Sequence, residues 1–133
     1  IIKMRDSLNV AIAGATGYIG LELVKILSNH PKVKIKYLCA TKSIGKSINK
    51  FDKKIKKKSL PKISNIKNLN WDKINIIFTA LPNGEAQKIA MIAPKKVKII
   101  DLSADFRLTN HQIYKKWYGI KHKCKKFIPK SIY

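Results

Sequence analysis

Residues 14–20 read GATGYIG, with three glycines spaced three apart directly after the apolar run 10–13. The apolar run predicts a short buried strand over 9–13. Residues 17–28 carry apolar side chains near a 3.6-residue period, which predicts a helix. A glycine-rich turn that joins a strand to a helix is the context in which such a motif binds the phosphates of a nucleotide.

Each glycine has a predicted role in this turn. Gly14 permits a tight turn off the strand, Gly17 lets the backbone approach a pyrophosphate, and Gly20 lets the helix pack against the sheet. The helix N-terminus adds unpaired N–H groups and a partial positive charge. A bend that needs glycine for packing alone is the alternative. We predict that a cofactor pyrophosphate is bound by the whole turn, namely Gly14, Ala15, Thr16, Gly17, Tyr18, Ile19 and Gly20.

The rest of the chain continues to alternate strand and helix patterns. Residues 41–72 hold a proline and several asparagines and predict loops with at most a short strand. The predicted strand over 33–40 alternates, with Val33, Ile35, Tyr37 and Cys39 on one face. Strands are predicted over 33–40, 74–80 and 97–102, and helices over 85–93 and 109–117.

This alternation predicts an α/β fold, a doubly wound parallel sheet of the Rossmann type that binds a dinucleotide. Ligands bind such a sheet at the carboxyl ends of its strands. The candidate site segments are therefore those that directly follow the predicted strands, at 14–20, 41–43, 81–84 and 103–107.

The end of the second strand predicts the choice of cofactor. A site for NAD usually places a carboxylate there, on the ribose hydroxyls, but no acidic residue occurs between Glu22 and Asp52. Two hydroxyls and an ammonium stand there instead, which suits a 2′-phosphate. We predict NADP as the cofactor, with its 2′-phosphate at Thr41, Lys42 and Ser43.

The chain of 133 residues has a formal net charge of +22. All but two of its basic residues are lysine, whereas base readout favours arginine. The densest basic stretch, 53–58, has no aromatic residue to stack on a base, so it predicts a solvated loop and no nucleic-acid partner. An apolar content of 45% predicts a globular protein. Without a long apolar run or a leader pattern, we expect a cytoplasmic protein and no membrane association.

Three later stretches resemble a known family when they are taken with the glycine turn. Residues 78–84 read FTALPNG, residues 101–108 read DLSADFRL, and residues 117–122 read WYGIKH. Together they resemble N-acetyl-gamma-glutamyl-phosphate reductase from about Val10 onward. Tyr133 is similar to the first residue of that family's Tyr-Gly-Leu-Pro-Glu stretch. The resemblance implies that residues 1–133 are the NADP-binding portion, running into the start of a truncated catalytic and dimerisation domain.

The resemblance implies an NADPH-dependent reduction of N-acetyl-gamma-glutamyl phosphate, with release of phosphate, in arginine biosynthesis. A cysteine thiolate attacks the acyl phosphate, a hydride reduces the thioester, and the semialdehyde leaves. On this chain it places Leu81 and Pro82 along the cofactor, Ser103 on the floor of the site, and Asp105 and Arg107 at the substrate. An internal ion pair between Asp105 and Arg107 is the alternative. The resemblance also implies a homo-oligomer at full length.

No catalytic residue is predicted within this chain. The nucleophile of the family lies in a Gly-Asn-Pro-Gly-Cys type turn, which nothing here matches, so we expect it after Tyr133. Cys39 falls in a predicted strand and is interpreted as a buried structural thiol, and Cys124 lacks the surrounding pattern. No second ligand stands at metal-site spacing from any histidine, so we predict no metal site. The 133 residues alone are therefore expected to have no reductase activity.

Alternatives of two kinds stay open. Dehydrogenases acting on aminoadipyl phosphate or aspartyl phosphate share the same thioester chemistry, and a single methylene separates the first of these substrates from N-acetyl-gamma-glutamyl phosphate. A stand-alone nucleotide-binding or nucleic-acid-binding module is an alternative of another class. Binding to random DNA with a steep salt dependence would identify such a module.

Overall fold

The computed structural model describes residues 7–57 and 59–103. Strands and helices alternate along them, and short 3-10 turns lie between the second and fourth strands. The predicted helix over 109–117 falls outside the described residues. The elements are β1 (Leu8–Ala13), α1 (Tyr18–Ser28), β2 (Val33–Cys39), β3 (Ile63–Ser64), β4 (Ile76–Thr79), α2 (Glu85–Ile92) and β5 (Lys98–Asp101), with 3-10 turns at Ile48–Lys50, Ile66–Asn68 and Trp71–Lys73.

The five strands form one parallel sheet in the order β3-β2-β1-β4-β5. The chain starts in the centre, moves outward through β2 to β3, and returns to the other side of β1 for β4 and β5. A reversal of this kind leaves a crevice at the carboxyl ends of the central strands. The predicted doubly wound parallel sheet is confirmed.

Successive residues of β1 explain why both faces of the sheet are covered. Ile12 packs in a buried cluster with Val24 of α1, whereas Ala11 packs in a second cluster with Ile89 of α2. Since side chains alternate across a strand, the two helices cover opposite faces. A strand buried on both faces reads as a continuous apolar run, which is the pattern seen at residues 10–13.

Strand β2 departs from the alternation predicted for it. Its register against β1 shifts, so that Ile35 lies opposite Val10 while Tyr37 lies opposite Ala11. One additional residue in β2 moves the side chains that follow it to the other face of the sheet. Ile35 therefore joins the cluster beneath α1, whereas Tyr37 and Cys39 join the cluster of α2. The prediction that alternate residues of this strand share one face is wrong.

Several elements are one to three residues shorter than predicted. The strand predicted over 74–80 begins only at Ile76, because the preceding turn extends to Ile74, whose N–H donates to the carbonyl of Trp71 at 3.4 Å. Helix α2 ends at Ile92 because the proline after Ala93 favours an extended backbone at that residue, with φ −69° and ψ 134°.

An ion pair of Lys25 links α1 to the long connection between β2 and β3. The Nζ of Lys25 lies 2.6 Å from a carboxylate oxygen of Glu22 and 2.8 Å from one of Asp52. These hydrogen bonds raise the pKa of Lys25 above its ordinary value and lower the pKa of Asp52. Ile48 and Ile55 of the same connection are buried in the cluster beneath α1. Neither helix of the described ranges is long and apolar enough to span a membrane.

Candidate functional site

A cleft of about 520 Å³ opens at the carboxyl ends of β1, β2 and β4. Its lining comes from the turn after β1, the end of β2, the residues that follow β3 and β4, and one side of α2. This is the edge of the sheet where the sequence predicted ligand binding. Of the predicted site residues, the cleft is lined by Gly14, Thr16, Thr41, Leu81 and Pro82.

The glycine turn is shaped by two of its three glycines. Gly14 has φ +80°, and a Cβ there would overlap the carbonyl oxygen of Ala80. A Cβ at Gly20 would overlap the carbonyl oxygen of Gly14 and lie 2.8 Å from the Cα of Ala15. Gly20 therefore lets the first turn of α1 pack directly against the backbone of Gly14 and Ala15. These contacts hold α1 against the end of β1.

Gly17 has a different setting. A Cβ added there would meet only the carbonyl oxygen of Gly14, at an ordinary 3.5 Å. Gly17 is exposed and stands at the N-cap of α1, where no side chain forms a capping hydrogen bond and the first turn holds no acidic residue. Tyr18 and Ile19 are also exposed, and none of these three residues belongs to the lining of the cleft.

The turn is also joined to β2. The N–H groups of Gly14 and Ala15 both donate to the carbonyl of Cys39, at 3.0 and 3.1 Å. Ala15 itself is fully buried. The backbone of the motif is therefore held from two sides, by β2 and by the close approach of β4 at Ala80.

The three residues predicted for the 2′-phosphate are not equivalent. Thr41 lines the cleft, whereas Lys42 is exposed and does not belong to its lining, and Ser43 is half-buried with φ +63°. A left-handed backbone is uncommon outside glycine. The loop that follows is fixed to β3, because the N–H of Gly45 donates to the carbonyl of Ile63 at 2.7 Å.

Ser103 is held by a carboxylate at the end of β5. Its hydroxyl donates to Asp101 Oδ2 at 2.8 Å, and its N–H donates to Asp101 Oδ1 at 2.9 Å. The buried hydroxyl of Thr79 donates to the same Oδ1 at 2.8 Å. Asp101 thus fixes the carboxyl ends of β4 and β5 against each other. Ser103 as a cofactor residue stays a prediction, and Asp105 and Arg107 lie outside the described residues.

Cys39 lines the cleft from the end of β2 and is buried. Burial raises the pKa of its thiol to about 11, and the neighbouring Ser64 hydroxyl opposes this increase only in part. Because the thiolate is the nucleophilic form, this cysteine is poorly suited to attack an acyl phosphate. In residues 7–57 and 59–103, no group of three His, Cys, Asp or Glu side chains is arranged to hold a metal ion.

Sequence reasoning missed the wall of the cleft that α2 provides. The face of this helix was readable, since its lining residues follow the helical spacing i, i+3, i+4 and i+7. The sequence did not indicate that this face of α2 is turned toward the carboxyl ends of the strands. The segment after β3 carried no sequence signal at all. The missed residues are Ala13, Cys39, Ala40, Asn65, Ile66, Glu85, Lys88, Ile89 and Ile92.

The chain belongs to the semialdehyde dehydrogenase family, because residues 9–123 match the NAD binding domain of that family. It is 45% identical over 132 residues to N-acetyl-gamma-glutamyl-phosphate reductase of Ehrlichia ruminantium and 42% identical over 131 residues to that of Ehrlichia canis. The protein of that name from Paracoccus denitrificans is 38% identical over 127 residues. These matches cover 96–98% of this chain but only 37–38% of the relatives, so the chain spans less than half of their length.

Solved structures share the fold. Aspartate semialdehyde dehydrogenase II from Vibrio cholerae, complexed with ASA, has a TM-score of 0.62 at 24% identity and covers 77% of this chain and 30% of its own. The Candida albicans aspartate semialdehyde dehydrogenase with NADP has a TM-score of 0.55 at 20% identity, covering 77% and 31%. RSP in complex with beta-NADH has a TM-score of 0.52 at 16% identity, covering 84% and 64%.

Proposed function

We propose that this chain is the NADPH-binding part of an N-acetyl-gamma-glutamyl-phosphate reductase. The longer enzyme would reduce the acyl phosphate to N-acetylglutamate semialdehyde and release phosphate, a step of arginine biosynthesis. One observation carries the proposal: identity of 38–45% over almost the whole chain to proteins of that name. The cleft supports it, because it lies where a doubly wound sheet binds a dinucleotide.

The glycine turn fits a pyrophosphate. The exposed Gly17 lets an anion approach the start of α1 without a side chain in the way. The helix start supplies N–H donors and a partial positive charge, with no acidic residue in the first turn to oppose them. Residues 14–20 would therefore hold the two central phosphates and fix the cofactor relative to the sheet.

The end of β2 fits a 2′-phosphate better than a bare ribose. Residues 41–51 contain no carboxylate that could accept hydrogen bonds from the ribose hydroxyls. Thr41 lines the cleft, and Lys42, the next residue, is exposed. These groups favour NADPH over NADH.

The described residues bind and position; they do not supply the nucleophile. A bound nicotinamide would provide the hydride, and Leu81 and Pro82, which follow β4 in the cleft, would lie along it. The raised pKa of Cys39 argues against that thiol as the attacking group. We therefore place the catalytic cysteine in the longer protein, after Tyr133, and expect that protein to be a homo-oligomer without a nucleic-acid partner, acting in the cytoplasm.

In the first experiment, the 133-residue chain is titrated with NADPH and with NADH, and binding is measured by calorimetry at fixed ionic strength. We expect NADPH to bind at least roughly tenfold more tightly, the usual size of one charge-assisted contact to the 2′-phosphate. Equal affinities would contradict the preference for NADPH. Failure to bind either cofactor, together with steeply salt-dependent binding to random DNA, would favour a nucleic-acid-binding module.

The second experiment tests the reaction in the reverse direction. The longer protein is assayed for phosphate-dependent oxidation of N-acetylglutamate, aminoadipate and aspartate semialdehydes with NADP. We expect the first substrate to give the highest kcat/KM and the 133-residue chain to give no turnover. A preference for another semialdehyde would replace the substrate that we propose, and turnover by the 133-residue chain would contradict our placement of the nucleophile.

A further inference from the structure

We propose that Lys88 of α2 is the cation that contacts the 2′-phosphate of NADPH, and that it does so while neutralising Glu85 in the same cleft. This inference rests on the proposed binding of NADPH. It assigns the main charge contact to Lys88 of α2 and a smaller contribution to Lys42 in the loop after β2.

Lys88 and Glu85 are the charged side chains among the described residues that line the cleft. The Nζ of Lys88 lies 3.0 Å from Oε1 of Glu85, one helical turn away. About half of each side chain is exposed, 57% for the lysine and 46% for the glutamate. Both groups can therefore reach a ligand without a change in the fold.

The pair shares one cleft with residues at the ends of β2 and β3. From the glycine turn, the cleft extends past Thr41 at the end of β2 and past Asn65 and Ile66 after β3. A pyrophosphate on the turn would direct one nucleoside toward these residues. Lys88 lines the same cleft, together with Ile89 on the apolar part of the wall.

Glu85 is the carboxylate among the described residues that line the cleft, since the end of β2 carries none. An unpaired carboxylate beside the ribose would accept hydrogen bonds from its hydroxyls, which favours NAD, and would repel a 2′-phosphate. Lys88 removes that repulsion. An ammonium has three N–H donors, so one bond to Glu85 leaves two for a phosphate oxygen.

Lys42 is less well placed for the same contact. Its neighbour Thr41 lines the cleft, but Lys42 does not, and its side chain is exposed to solvent. The side chain of Lys88 is exposed as well, at 57%, so the two cations differ in that Lys88 lines the cleft and Lys42 does not. Lys42 would therefore attract the cofactor at long range and contribute less to the choice between NADPH and NADH.

The test compares three single variants of the 133-residue chain, Lys88→Met, Lys42→Met and Lys95→Met. Lys95 is an exposed lysine beyond the far end of α2 that does not line the cleft, so its variant controls for the loss of one charge. Dissociation constants are measured for NADPH, NADH and adenosine 2′,5′-bisphosphate at one ionic strength. Thermal unfolding of each variant checks that the fold is kept.

We expect Lys88→Met to weaken NADPH and the bisphosphate by roughly tenfold or more while NADH changes less than about twofold. Lys42→Met should have a smaller effect, and Lys95→Met almost none. Glu85→Gln should strengthen NADPH and weaken NADH, each by a few fold. A Lys88→Met variant that keeps the wild-type preference, or a larger loss in Lys42→Met, would overturn the inference and leave the proposed binding of NADPH intact.

The double variant separates a direct contact from simple neutralisation. If Lys88 touches the phosphate, Lys88→Met combined with Glu85→Gln should still bind NADPH several fold more weakly than the wild type. Full recovery of NADPH affinity would mean that Lys88 only screens Glu85, and would overturn the proposed contact. A wild-type chain that binds neither NADPH nor NADH would instead contradict the proposed function itself.

Discussion

The glycine turn and helix α2 line one cleft, but they do so with different chemistry. The turn at 14–20 lines the cleft with Gly14 and Thr16, and Gly14 and Gly20 lack a side chain because the chain passes close to Ala80 and to its own turn there. Helix α2 presents side chains, two charged and two apolar. The turn depends on glycines that lack a Cβ. The wall formed by α2 depends on which face of the helix is turned toward the cleft.

This difference decides how each region responds to change. A methyl group at Gly14 or Gly20 would collide with neighbouring backbone, so the turn requires glycine at both positions. The charged pair on α2 is half exposed and supports no part of the core. Substitutions in the turn should therefore act on the fold first, and those in the charged pair should act on ligand choice first.

Gly14→Ala should have the largest effect on the fold. It combines a strained left-handed backbone, about 1–3 kcal/mol, with an overlap against the Ala80 carbonyl, about 1–3 kcal/mol more. We expect the free energy of unfolding to fall by roughly 2–6 kcal/mol in urea titrations. A loss below about 1 kcal/mol would show that the turn is less tightly packed than the structure indicates.

Gly17→Ala is the matched control in the same turn. Its backbone angles, φ −76° and ψ 169°, are open to any residue, and its added methyl meets only an ordinary contact. The free energy of unfolding should change by less than about 1 kcal/mol, while NADPH affinity falls because the methyl stands where the pyrophosphate would approach. Unchanged affinity in a folded Gly17→Ala chain would contradict the proposed phosphate site.

Thr79→Val should have the second largest effect, on the contact between the ends of β4 and β5. Thr79 is fully buried, and its hydroxyl donates to Asp101 at 2.8 Å. Removing one donor from a carboxylate costs about 1.5–3 kcal/mol, which urea unfolding can measure. The matched variant Thr79→Ser keeps the donor and should recover the part of the loss that is due to the hydrogen bond. Equal losses in both variants would assign the effect to packing instead.

Lys25→Met should have the smallest effect, since it changes a half-buried ion pair at the surface, remote from the cleft. Lys25 lowers the pKa of Asp52. The stabilisation from this pair is therefore fully present above the ordinary aspartate pKa of 3.8 and is lost as the pH falls through the lower pKa of the folded state. Melting temperatures should differ slightly at pH 7, in favour of the wild type, and converge in acid.

The Lys25→Met variant also separates the cleft from the rest of the fold. Its affinity for NADPH should equal that of the wild type, because the side chain lies beneath the connection from β2 to β3 and lines no part of the cleft. A gap in melting temperature that stays constant down to pH 2, or a change in affinity, would show that Lys25 acts by another route.

Much of the fold was predictable because its signals are local. The apolar run at 10–13, the helical period at 17–28 and the prolines that limit later elements each depend on neighbours in sequence. The register shift in β2 was not predictable, since the pairing with β1 decides it and moves Tyr37 and Cys39 to the face that α2 covers. The boundary at Ile76 likewise depends on a turn that propensity did not indicate.

The sequence by itself determined the doubly wound sheet, the glycine turn and the family, because these depend on residue type at fixed spacing along a continuous stretch. The tertiary structure decided which side chains share the cleft. Glu85 and Lys88 stand about seventy residues from the turn, and only the crossover from β4 through α2 brings them to it. The sequence pointed to Lys42 because it follows a strand end, yet Lys42 does not line the cleft. Charge placement depends on the direction of a side chain in space, which sequence spacing does not specify beyond the element that carries it.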